Sequence, residues 1–151
     1  MFFDEVVQPN MVDALENPDD PRATANAILT MDALSGITFW YLHAKGDASA
    51  TKHGTNDSAY KADLANASEA FRALRDAAFS LKHGKLTSGN RLMDDAGDMI
   101  VEPNVLGYFR AGDRLGSALV YLDLSTGRVA ARDIISEAFH FLEELVESLP
   151  H

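Results

Sequence analysis

The chain has 151 residues, of which 46% are hydrophobic, and it carries 23 acidic against 13 basic side chains for a net charge of −10. That length fits one domain with a real core, and the absence of cysteine excludes disulfides, thiolate catalysis and thiolate metal sites. The acidic balance disfavours broad nucleic-acid binding, because such a surface repels phosphate backbones.

The N-terminus, Met1 to Pro9, has neither a basic region nor a long apolar run, so no secretory signal is expected. No apolar stretch approaches the roughly 20 residues of a membrane span. A cytoplasmic location and no membrane contact are the expectations.

The first predicted element is a short helix over about 3–15, interrupted at Pro9 and ended by the turn Asn17-Pro18-Asp19-Asp20. The second helix runs over about 21–44. Asp20 is placed to cap it and Pro21 suits its first turn. Ala27, Ile28, Met31, Leu34, Thr38 and Tyr41 follow helical spacing, and Leu29, Ala33, Ile37 and Trp40 widen the apolar surface. A helix apolar on so much of its circumference belongs at the centre of a bundle. Gly36 within it invites close approach by another backbone. A polar loop over 45–56 follows.

The third helix is expected to run unbroken over about 58–83. Tyr60, Leu64, Ala67, Phe71, Leu74, Ala78 and Leu81 alternate spacings of four and three, the pattern of a single packing seam. Gly84 supplies the stop, with Lys82 and His83 at the negative helix end.

From about 98 to 130 glycines alternate with short β-branched and aromatic runs. Met99-Ile100-Val101, Val105 to Phe109, Ala118 to Leu122 and Arg128-Val129-Ala130 are predicted strands, the last after a Ser125-Thr126-Gly127 turn. Arg110 and Arg114 fall in a hairpin loop, where they can also grip an anion. The last helix, about 131–149, is amphipathic, with Ile134, Ile135, Ala138, Phe141, Leu142, Leu145 and Leu149 on its apolar side. The predicted fold is therefore mainly α (α+β): a single-domain helical bundle with a small antiparallel β-meander inserted before the C-terminal helix.

The densest polar cluster is Arg72 to His83. Asp76 and His83 lie seven residues apart, near two helical turns, and Arg72 stands one turn before Asp76, in position to pair with it. A functional reading makes His83 a general acid or base, Asp76 its companion and Arg75 an anion ligand. The alternative is a solvated helix face whose Lys82 and His83 complement the helix dipole.

The phrase Arg75-Asp76-Ala77-Ala78-Phe79-Ser80-Leu81-Lys82-His83 resembles a group of uncharacterised bacterial helical proteins with an Arg-Asp-x-Ala-x-x-x-Lys-His phrase. More distantly, residues 21–86 resemble HEPN domains, helical bundles found among toxin–antitoxin and phage-defence ribonucleases. That resemblance implies a ribonuclease using an Arg and a His on one helix with four to six residues between them. Here Arg75 and His83 have seven between them, a departure from the pattern.

Glu137 and His140 form a Glu-x-x-His pair, with Glu144 one turn on. Carboxylate-bridged dimetal bundles use such pairs in duplicate, and the sequence has one. Asp32 and His43 share one side of the second helix and make a further partial metal set for zinc or iron. No cofactor is identified by the sequence. The leading expectation is a noncatalytic binding or protein-interaction domain, forming a homodimer or meeting a protein partner through its plentiful apolar residues or an open strand edge. The alternative is a divergent HEPN-like ribonuclease or a metal-dependent hydrolase.

Overall fold

The computed structural model describes residues 1–87, 89–105, 107–114 and 116–150. A π-helical turn, Phe3–Val7, leads into α1 (Gln8–Glu16), α2 (Pro21–Ala44), α3 (Ala48–Thr51), α4 (Asp57–Ala67) and α5 (Glu69–His83). Strands β1 (Met99–Pro103), β2 (Ala118–Leu124) and β3 (Gly127–Ala130) precede α6 (Ala131–Glu147). The fold is a helical bundle with a small antiparallel sheet before its last helix, the predicted α+β class. No described helix is long and apolar enough to cross a membrane.

Pro9 does not interrupt the first segment. It follows directly on the change from the π-helical turn to α1, at the second position of α1, with helical residues on both sides. α2 begins as its capping residues dictate, with the Arg22 backbone N–H donating to Asp20 Oδ1 at 2.8 Å. Its mostly apolar circumference makes it the hub of the bundle, packed against α1, α4, α5 and α6. Ile28, Met31 and Phe39 of α2, Phe71 and Leu74 of α5, and Ile135 and Leu142 of α6 are fully buried together. The polar stretch after α2 is partly ordered as the one-turn α3, capped by Asp47.

The continuous helix expected over 58–83 is not formed. Ser68 leaves the helical region (φ −138°, ψ 118°) and separates α4 from α5. Its Oγ accepts the Phe71 backbone N–H at 3.1 Å, and Glu69 follows in the first turn of α5. These are the marks of a helix start. The apolar seam survives on both sides of the break. Tyr60, Leu64, Phe71, Leu74 and Ala78 are buried, Leu81 is half-buried, and Ala67 beside the break is exposed. At the other end α5 stops at Gly84, whose φ of 77° favours glycine.

The sheet has order β1-β2-β3, antiparallel throughout, with Met99 opposite Leu122 and Tyr121 opposite Ala130. Val120 and Leu122 of β2 face the helical core. Leu119 and Tyr121 point the other way, against Ala130 and Tyr108.

The strand expected over Val105 to Phe109 is absent. Leu106 lies outside the described residues, while Val105, Tyr108 and Phe109 belong to the connection between β1 and β2. A tertiary interaction decides this. The Tyr108 ring stands edge-on to Tyr121 at 5.1 Å, and its carbonyl accepts from Arg132 Nη2 at 2.5 Å. Arg132 also grips Asp113 through both terminal nitrogens, each at 2.8 Å. The Arg110 backbone N–H and Asn104 Nδ2 donate to the same carboxylate at 2.7 and 3.0 Å.

These donors, Arg132 first, hold the Asp113 carboxyl well below the usual carboxylate range. A depressed folded-state value contributes stability that is complete above the unfolded-chain value, near 3.9, and is lost as pH falls toward the folded value. Wild type is therefore expected to melt above Asp113→Asn at pH 7, with the gap closing progressively below about pH 4. Melting curves of both proteins from pH 7 to pH 2 test this, and a gap constant across that range refutes it.

Candidate functional site

The residues of the polar strip on α5 diverge. Asp76 is 4% exposed and faces inward. Its Oδ2 accepts the Leu92 backbone N–H at 2.8 Å, and its Oδ1 pairs with Arg91 at 3.2 Å. The expected Arg72–Asp76 pair is replaced by this Arg91 pair from the next loop. The Arg91 guanidinium also stacks on Phe79, 4.4 Å from the ring centre. One turn on, Ser80 Oγ donates to the Met93 carbonyl at 2.9 Å. Asp76 and Ser80 thus act together as a clasp for residues 91–93.

Arg72 and Arg75 flank Asp76 without pairing with it. Arg72 Nη2 donates to the Asn90 carbonyl at 3.4 Å, and Arg75 Nη2 to the Ser58 carbonyl of α4 at 3.3 Å. His83 is exposed at the last residue of α5, its ring 5.1 Å from that of Phe79. Eight residues of helix, about 12 Å of rise, separate it from Arg75. Arg75 and Asp76 therefore share a neighbourhood that His83 does not enter.

Lys82 turns inward and forms the second buried ionic cluster. Asp32 of α2 is 1% exposed. Its Oδ2 meets Lys82 Nζ at 2.6 Å and its Oδ1 meets Lys61 Nζ of α4 at 3.1 Å. Lys61 Nζ also donates to the Asp32 carbonyl at 3.0 Å. The close approach expected at Gly36 is made by this lysine and not by a backbone: a Cβ there would stand 3.6 Å from Lys61 Cε. One carboxylate thereby ties three helices together.

The metal candidates are dispersed. Glu137 and His140 are both exposed on α6, and His140 Nδ1 approaches Glu143 at 3.5 Å. Asp32 is committed to its lysines, while His43 packs against Phe39 and Trp40 with ring centres 5.8 and 5.6 Å away. Among the described residues no three His, Asp or Glu side chains gather as a metal site. Arg110 pairs with Asp133 of α6, and Arg114 is exposed.

A run of exposed large apolar side chains lies on α2. Ile37 is 46% exposed, Trp40 49% and Tyr41 38%. Ala33 and Ala44 are exposed beside them, and Leu29 and Thr30 are half-exposed. From Ala23 to Leu42 the only charged residue is Asp32, which is buried. Between Ala23 and Leu42 the outer face of this hub helix carries no charge, and the exposed Arg22 stands at its N-terminal end. A groove of about 240 Å³ adjoins it, lined by Met1, Phe2, Ile37, Tyr41, Val146 and Leu149 among others. Ile37, Trp40 and Tyr41, expected from their spacing to add to the apolar surface packed within the bundle, face out instead.

Near the start of α4, the Tyr60 hydroxyl is buried without a hydrogen-bond partner among the described residues. Burial, with the Asp47 charge nearby, pushes its pKa up to about 12. It remains a neutral phenol at physiological pH.

No protein-family model, no curated protein and no solved structure matches this chain.

Proposed function

We propose that the protein is a noncatalytic interaction domain that self-associates through the outer face of α2. The observation that carries this reading is the uncharged face itself, with Ile37, Trp40 and Tyr41 exposed in a chain of net charge −10. The stretch from Ala23 to Leu42 is about 30 Å long and about 10 Å wide, so the strip covers roughly 300 Å². The largest apolar patch on a typical monomer is of about that size, roughly 300–600 Å², and is often functional.

A second copy carries the same charge of −10, which opposes association everywhere except across an uncharged surface. The α2 face lets two copies meet without opposing like charges. An antiparallel crossing at Ala33 sets Ile37 of each copy over Leu29 of the other, apolar against apolar, and the large Trp40 over the smaller Asn26. This isologous arrangement is the commonest oligomer symmetry. The strand edges are poorer platforms. β1 carries Glu102 and Pro103 within five residues, and β3 has four residues.

A binding role is further supported by the commitment of Asp76 to Arg91 and Leu92, away from His83. Sedimentation velocity is expected to give a dimer for wild type at micromolar concentration and a monomer for Trp40→Glu and Ile37→Glu, with helical circular dichroism unchanged. Wild type remaining monomeric at the highest soluble concentration overturns the proposal, as does a dimer that survives both substitutions.

A further inference from the structure

A separate surface shows the opposite electrostatics. Arg72 and Arg75 of α5 and Arg91 of the following loop line an open groove of about 340 Å³, together with Asn66 and Asn90. Asp76 is the one carboxylate in the lining, and it is already bonded to Arg91 and the Leu92 backbone N–H. Three guanidinium groups against one carboxylate leave a local excess of two positive charges in a chain whose total is −10.

Arg72 and Arg75 have no carboxylate partner among the described residues. Each makes one long hydrogen bond to a backbone carbonyl, at 3.4 and 3.3 Å. The Nε atoms of Arg75 and Arg91 are buried and, among the described residues, have no hydrogen-bond partner. Adjacent guanidinium groups held without counter-charge are unfavourable by themselves, and an oxyanion that receives their N–H groups in pairs removes that cost. The groove is also preformed. Asp76 and the Phe79 ring orient Arg91, and the Ser80–Met93 bond fixes the loop behind it.

We infer that this groove binds a phosphate monoester dianion carried on a small organic molecule, with Arg72 and Arg75 as its principal ligands. The dianion matches the local charge. The volume lies at the small end of the range for organic ligands, about 300–1,000 Å³, and exceeds what inorganic phosphate fills. A nucleic acid fits poorly, because its remaining phosphates would cross a surface still more acidic than the chain total.

Titration calorimetry and ¹⁵N-detected NMR on the whole chain test the inference. The probes are glycerol 3-phosphate, adenosine monophosphate, inorganic phosphate and a short single-stranded RNA, with sodium chloride at matched ionic strength as control. A saturable single site for at least one monoester is expected, with shifts confined to residues 72–76 and 89–92. Affinity is expected to fall about tenfold or more in Arg72→Ala and in Arg75→Ala. Arg75→Lys, which keeps the charge but loses the fork, should recover part of it. Monoester binding no stronger than the salt control, or unchanged in both alanine variants, overturns the site. RNA or inorganic phosphate binding tenfold tighter than every monoester overturns the ligand class.

Discussion

Asp32→Ala is expected to destabilise the fold by about 3 kcal/mol or more and to lower the melting temperature by roughly 6–12 °C. The carboxylate is 2% exposed and joins Lys61, itself 13% exposed, to Lys82. Removing it leaves the mostly buried Lys61 ammonium, beside Gly36 and the Asp32 carbonyl, without its ion-pair partner. An uncompensated buried charge costs far more than the net worth of the pair. Lys82, at 42% exposed, can turn to water. The companion variant Asp32→Ala/Lys61→Met removes the stranded charge and is expected to recover most of the loss. Urea denaturation of both variants measures the two quantities. A loss within about 0.5 kcal/mol for the single variant contradicts this account of the cluster.

Asp76→Ala is expected to cost about 2–4 kcal/mol and to loosen residues 91–93. The substitution orphans the buried Leu92 N–H and frees Arg91 from its 3.2 Å contact. Asp76→Asn keeps an acceptor for that N–H and loses only the ion pair, so it should cost about half as much. Hydrogen exchange separates this from general destabilisation. In the alanine variant the Leu92 amide is expected to lose protection beyond the global effect, while the Phe71 and Leu74 amides of α5 exchange faster only in proportion to the global loss of stability. Unchanged protection at Leu92 would show that the loop is held by other contacts. The same experiment bears on the arginine groove, since Asp76 orients Arg91 from behind.

Much of the backbone was legible because its signals are local. Asp20 before Pro21, Gly84 after Lys82-His83, and the Ser125-Thr126-Gly127 turn each act within a few residues, and each does in the structure what its chemistry requires. Ser68 was equally local, but the four-and-three alternation of apolar residues continues across it and reads as one helix. Burial periodicity records which residues face the core, not whether the backbone between them is continuous. Val105 to Phe109 failed for a different reason. Its aromatic and β-branched residues suit a strand, yet the carbonyl of Tyr108 is taken by the Arg132 side chain, 24 residues further on.

The candidate site was legible only in part. Arg75, the expected anion ligand, lines the one arginine-rich groove among those described, together with Arg91, which nothing near it in sequence marks. His83 was joined to Asp76 by helical spacing, which locates side chains around an axis without saying which angle faces protein and which faces water.

The sequence by itself determined the class of fold, the hub position of α2, the placement of the sheet before the last helix and the acidic surface, because composition, periodicity and capping are properties of short stretches of chain. Only the tertiary structure decided that Asp32 would hold Lys82 across 50 positions, that Asp76 would clasp the loop instead of serving His83, and that an uncharged helix face would be left open. Those outcomes depend on which surfaces meet when elements pack. Burial of a charge is tolerated only where packing delivers its partner, and no local pattern encodes that delivery.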